Sequence, residues 1–195
     1  MSFNNVSHQR WKNERPDEVL VKDLKKSLQK EYQLNLSGVT CELLVNRGLV
    51  ESDSAYEFLY PDLSRLHDPF IMTDMDKATD FLVSAITSKK RIWVYGDYDV
   101  DGITSISILI LFLRALGIKA EYYIPDRIKE GYGLNEKAVK YIAGQGANLI
   151  ITVDCGISNH EEVDLARSLG VDVIVVDHHE VPHILPDAVA VLDPK

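Results

Sequence analysis

The stretch IWVYGDYDVDG at residues 92–102 decides the fold of this chain: an apolar run suited to a buried strand passes straight into three carboxylates, Asp97, Asp99 and Asp101. A near-continuous Val/Ile/aromatic run without polar alternation is what a parallel strand covered on both faces requires. Similar short runs recur at 120–124, 149–153, 173–176 and 189–192, and helical spacing of apolar residues marks 104–116, 136–145 and 159–169 between them. Strand and helix alternate, so the sequence predicts an α/β fold with an open, mostly parallel β-sheet and helices on both faces. Local signals agree with it. Asn135 sits between Leu134 and Val139 as a capped helix start, Ser158 with Glu161 has the spacing of a capping box, and Gly117 and Gly170 follow helix ends.

Working outward toward the amino terminus, clean strand alternation disappears. Asp17, Ser37 and Ser52 each precede a helical pattern and are predicted N-caps, and Pro61 closes the third of these helices. Residues 1–70 therefore read as a small helical segment ending at the Asp68-Pro69 turn, and residues 71–195 as the sheet domain. An amphipathic helix from about Asp74 leads into Lys89-Lys90-Arg91, which reads as a solvated helix terminus in preference to a phosphate contact.

With 195 residues, 46% hydrophobic and 26% charged, the chain can bury a core without metal or disulfide staples. Its 21 Lys and Arg against 30 Asp and Glu give a formal charge of -9, which excludes a basic coat for nucleic acid. That total does not exclude phosphate-bearing substrates, since a divalent ion held by carboxylates reverses the local field. The two cysteines, Cys41 and Cys155, are far apart, which argues against a zinc knuckle and for a reducing, cytoplasmic setting. No apolar run approaches 18 residues, so no membrane span is expected.

In an open parallel sheet the carboxyl ends of the strands share one edge. Asp97, Asp99 and Asp101 follow the first strand, Asp154 the third, and Asp177, His178 and His179 the fourth, so distant residues are expected in one crevice. Five aspartates and two histidines there need a counterion, because like charges in a poorly hydrated cleft oppose each other's ionisation. Oxygen ligands with imidazole suit Mn²⁺, ahead of Mg²⁺ or Fe²⁺, and a pair of ions would serve phosphoryl transfer on a phosphoester. Adjacent histidines face different ways, so one binds metal while the other contacts the phosphate or donates a proton. The segment at 124–134 should reach the same edge, where Arg127 and Lys129 can meet phosphates and Tyr132 can stack or donate a hydroxyl. Cys155 is expected to be a buried small apolar residue. Neither a dinucleotide fingerprint nor a Walker pattern is present.

These residues resemble the DHH phosphoesterase superfamily, and within it the RecJ-type single-stranded-DNA exonucleases. YGDYDVDG at 95–102, ITVDCGIS at 151–158 and VVDHHE at 175–180 are similar to that family's first three motifs, and IPDRIKEGYGL at 124–134 narrows the likeness. The resemblance implies Asp99, Asp101, Asp154 and His178 as metal ligands, with Asp154 bridging and Asp97 either a further ligand or a carboxylate behind them. It implies that His179 contacts substrate or stands behind the ligands, and that Asp177 orients the histidines. It implies processive 5′ to 3′ hydrolysis of single-stranded DNA in repair and recombination, with single-stranded-DNA-binding protein and a helicase as pathway partners. The helical preface, including Trp11-Lys12 and Asp68-Pro69-Phe70, resembles the family's usual amino-terminal part. The family's fourth motif has no counterpart before Lys195, so an amino-terminal fragment is expected, weak in metal retention and activity, monomeric or dimerised through its open sheet end. A DHH phosphodiesterase of oligoribonucleotides or cyclic dinucleotides, and a non-catalytic binding module, are the alternatives.

Overall fold

The computed structural model describes residues 15–195, so Trp11 and Lys12 lie outside the described residues. The chain divides into two compact units, one reaching to Leu66 and one running from His67 to Lys195. The first contains α1 (Glu18–Tyr32), α2 (Gly38–Asn46), α3 (Ser52–Leu59) and a 3-10 turn at Leu63–Arg65. Leu24 and Leu28, one turn apart on α1, bury against Leu44 and Val45 of α2 and Ala55 of α3. Asp17 and Ser37 cap α1 and α2 through side-chain bonds to the amides of Val19 and Thr40. Ser52 does not cap α3. It is the first helical residue, behind Glu51, and its hydroxyl is taken by the carboxylate of Glu31, which competes with the local amide.

The second unit holds α4 (Met75–Thr87), β1 (Ile92–Gly96), α5 (Val100–Ala115), β2 (Ala120–Tyr123), α6 (Glu136–Gly144), β3 (Leu149–Val153), α7 (His160–Ser168), β4 (Asp172–Val176) and β5 (Ala190–Leu192). The five strands form one parallel sheet in the order β2-β1-β3-β4-β5. Alternation along each strand sorts the side chains between two cores. Ile92, Val94, Leu149, Ile151 and Ile174 pack with α4 and α5, whereas Trp93, Tyr95, Ile150, Val173 and Val175 pack with α6 and α7. The α/β class and the two helical layers agree with the sequence. Among the described residues no helix is long and apolar enough to cross a membrane.

Three helix-end expectations need correcting. Helix α5 starts at Val100, four residues before the predicted start, because the Asp99 carboxylate accepts from the amides of Asp101 and Gly102 and organises the first turn. Helix α7 follows Asn159, not the Ser158 capping box: Asn159 occupies the cap position, and its side chain is spent on Leu134 and Glu162. Lys90 is not a solvated terminus. It pairs with Asp172 at 3.0 Å and lies 4.7 Å over the Phe81 ring, before β1 begins and thus away from the carboxyl ends of the strands. The outer side of α5 remains apolar, with Ile108, Leu111, Phe112 and Leu116 exposed.

Candidate metal centre

The chain leaves β1 through α5 to reach β2 and returns through α6 to β3, so the connections after β1 and β3 diverge and open a crevice at the carboxyl edge. Register levels the strand ends: Gly96 pairs with Val153, and Val153 with Val176. The next residues, Asp97, Asp154 and Asp177, are therefore neighbours although the chain separates them widely. Two sets of ligand atoms converge there. One comprises Asp97, Asp99 and Asp154, the other Asp154, His178 and His179, and within each set the atoms lie within 4.8 Å of one another. Asp154 belongs to both sets. It takes a left-handed backbone (φ 61°), which an aspartate tolerates better than most residues and which turns the chain sharply off β3.

Asp101 falls outside both sets. It lines the adjoining cleft of about 360 Å³ with Thr104, Ser105, Asp154 and His178. His179, which the resemblance places against substrate or behind the ligands, stands among the convergent atoms, and Asp97, also left between two roles, is there as well.

The hydrogen bonds give each group a distinct state. Burial and the neighbouring Asp99 carboxylate push the Asp154 carboxyl above its ordinary pKa, partly opposed by His178, whose Nε2 is 2.9 Å from Asp154 Oδ1. Asp99 is held below the ordinary range by the Gly102 amide and then the Asp101 amide. Burial pushes Asp177 upward, yet donors to both oxygens win and its pKa lies low: Oδ2 accepts from the Ile157 amide, and Oδ1 from the His178 amide and His179 Nδ1. The Asp177 bond in turn raises the His179 pKa. Asp177 thus bonds the backbone amides of both histidines and the His179 ring.

The segment 124–134 delivers Tyr132 to this edge, its hydroxyl 3.2 Å from His179 Nε2 and its ring edge-on at 5.6 Å. Arg127 stacks over the Tyr98 ring at 5.3 Å, beside the first carboxylate cluster in sequence. Lys129 points instead to Asp126 at 3.8 Å and is otherwise exposed. The Asn159 side chain holds the end of this segment, accepting from the Leu134 amide at 3.2 Å and donating to the Leu134 carbonyl at 3.0 Å. Sequence inspection assigns no role to Asn159 or Tyr98. The available signal is an asparagine directly after a Gly-x-Ser turn and before an acidic helix start. Asn159→Ala should leave the buried Leu134 amide and carbonyl unpaired and cost about 2–3 kcal/mol by urea denaturation. An unchanged midpoint would remove the clamp from the account.

Do these residues fit a divalent cation? Asp97 Oδ1 is buried and has no hydrogen-bond partner among the described residues, an unsatisfied acceptor of a kind that folded proteins seldom leave. Burial, with the Asp99 carboxylate adding to it, disfavours a charged Asp154, and a cation at this position would offset both effects. Hard oxygen donors with imidazole suit Mn²⁺ and tolerate Mg²⁺, so the donor set fits.

Residues 91–195 match the DHH family, N-terminal domain. Over 190 residues, 97% of this chain and 23% of the relative, the sequence is 43% identical to the single-stranded-DNA-specific exonuclease RecJ of Bacillus subtilis. The crystal structure of RecJ in complex with Mn²⁺ from Thermus thermophilus is similar at a TM-score of 0.71 and 28% identity, covering 95% of this chain and 25% of that one. A crystal structure of exonuclease RecJ bound to manganese gives 0.61 and 37%, covering 66% and 33%. The chain thus spans about a quarter of the length of the curated relative it matches.

Proposed function

This chain belongs to the DHH family, and from that membership we propose that it carries the metal-binding and phosphate-facing centre of a Mn²⁺-dependent 5′ to 3′ exonuclease for single-stranded DNA, acting in repair and recombination. The observation that carries the proposal is the double membership of Asp154 in two convergent ligand sets, which is what a carboxylate shared by two ions requires. Asp97, Asp99 and Asp154 would hold one cation and Asp154 with His178 a second, with Asp101 completing the acidic wall of the cleft.

The cations would supply positive charge at the scissile phosphate and raise the acidity of nearby water. The protein does the rest. Asp177 fixes the His179 ring through Nδ1 and favours its protonated form, so His179 can donate to a phosphate oxygen. Tyr132, whose pKa burial raises, stays a neutral donor beside it. Arg127, steadied on Tyr98, offers a planar fork to the phosphate backbone, and Lys129 a mobile charge.

The test places this chain in a full-length frame, substituted for the matched 190 residues of the Bacillus subtilis relative. With Mn²⁺ the chimaera should release mononucleotides from the 5′ end of labelled single strands and leave duplex intact. His178→Ala should lower the rate roughly 100-fold or more. Activity that survives chelation, or that is confined to dinucleotides, would sink the proposal.

A further inference from the structure

On the sheet face that carries α6 and α7, the space between α6 and the edge strand β2 forms an open groove of about 820 Å³. Its walls are aromatic. Trp93 meets Tyr141 edge-on at 6.1 Å, Tyr141 lies 5.9 Å from Tyr123, and Tyr123 stacks on Tyr95 at 5.6 Å with an interplanar angle of 6°. Tyr141 is half exposed, so part of its ring is free to receive a planar ligand. Trp93 is 6% exposed and backs the exposed Tyr141 ring.

Two glutamates and two lysines line the groove. Glu130 lines it, but its carboxylate is turned inward onto the Tyr123 hydroxyl, the Asp126 amide and Asn135. Glu121 is paired with Lys119. Lys137 and Lys129 also line the groove; Lys137 has no ion pair among the described residues, and Lys129, 3.8 Å from Asp126, is otherwise exposed. A half-exposed tyrosine ring with an unpaired lysine beside it matches one class of ligand: a nucleobase flanked by phosphates. The groove also adjoins the metal centre along the chain. Glu130 forms its wall, and Tyr132, two residues on, contacts His179.

We propose that this groove is a base-stacking subsite for single-stranded DNA, in which a base lies on Tyr141 and the Lys129 and Lys137 ammonium groups meet the flanking phosphates. The choice of DNA rests on the function proposed above; the groove's selectivity for a planar, phosphate-flanked ligand does not.

Binding is measured on the 195-residue chain in EDTA, so that no hydrolysis enters the signal, by anisotropy of labelled oligothymidylate and of an abasic strand of equal length. Tyr141→Ala should weaken oligothymidylate binding about tenfold, while Tyr141→Phe, which keeps the ring and controls for folding, should bind as the parent does. Lys137→Ala should weaken both strands about two- to threefold and flatten the salt dependence. The abasic strand should bind the parent and Tyr141→Ala alike. Equal binding of oligothymidylate by parent and Tyr141→Ala overturns the subsite, as does an equal Tyr141 effect on both strands or no binding by the parent. So does preference for an unphosphorylated extended peptide at the β2 edge. An inactive chimaera with an intact Tyr141 effect would sink the nuclease proposal and leave the groove; an active chimaera without that effect would do the reverse.

Discussion

Asp154→Asn should abolish Mn²⁺-dependent hydrolysis in the chimaera and weaken Mn²⁺ binding by this chain about 100-fold or more, measured by titration calorimetry. Asparagine is the informative replacement because it retains the size of the side chain and accepts the left-handed backbone that position 154 requires. It also keeps an amide oxygen in place of the carboxylate oxygen that faces His178 Nε2. What it removes is charge, and at a residue shared by both ligand sets that loss reaches every cation the site would hold. The metal-free protein should be as stable as the parent or slightly more so, since the substitution relieves the crowding that raises the Asp154 pKa. The parent gains roughly 2.7 kcal/mol at a Mn²⁺ concentration about 100 times its dissociation constant. Asp154→Asn should gain almost nothing at that concentration. A variant that still binds and is stabilised as the parent is would remove Asp154 from the centre.

Gly102→Ala should be the most damaging single-methyl change in the second unit, costing about 3 kcal/mol or more and lowering the melting temperature by roughly 10 °C. A Cβ at this position would fall 2.2 Å from the Asp97 carbonyl oxygen and 2.6 Å from its backbone nitrogen, atoms that cannot swing aside as a side chain could. Relief requires the first turn of α5 to move away from the strand end. That movement would break the Gly102 amide bond to Asp99 and spread Asp97 from Asp99, so Mn²⁺ affinity should fall along with stability. Gly144→Ala is the matched control. Gly144 is the last residue of α6, nothing lies within 4 Å of its added methyl, and the exchange should stabilise by about 0.5–1 kcal/mol. Equal melting temperatures for the two variants would show that α5 does not press on the Asp97 backbone.

The five strands are legible in the sequence because burial on both faces leaves an uninterrupted apolar run, and that pattern does not depend on a distant partner. Carboxylates immediately beyond those runs are legible for the same reason: parallel strands align their ends, so Asp97 and Asp154 meet without any knowledge of loop geometry. Helix starts are harder. At Asp99 and Asn159 the local choice of cap depends on what else competes for the side chain, and at Ser158 and Ser52 a good local pattern loses to that competition. For Asn159 the competitor is Leu134, 25 residues away. Lys90 fails as a solvated terminus for a similar reason, since its partner Asp172 is 82 residues distant. Within the site, the spacing of Asp97, Asp99 and Asp101 cannot say which carboxylates turn inward. The Asp99 cap bends the chain so that Asp97 and Asp99 converge while Asp101 is left on the cleft wall.

The apolar outer side of α5 has a colloidal consequence. Ile108, Leu111 and Phe112 present greasy surface to the bulk solvent from a helix that is otherwise well anchored, so crowding at high protein concentration would drive sticking between correctly folded molecules. Sulfate and other excluded salts strengthen that tendency. Light scattering in dilute, low-sulfate buffer is therefore the setting in which a particle size reports on the folded chain and not on its clumping.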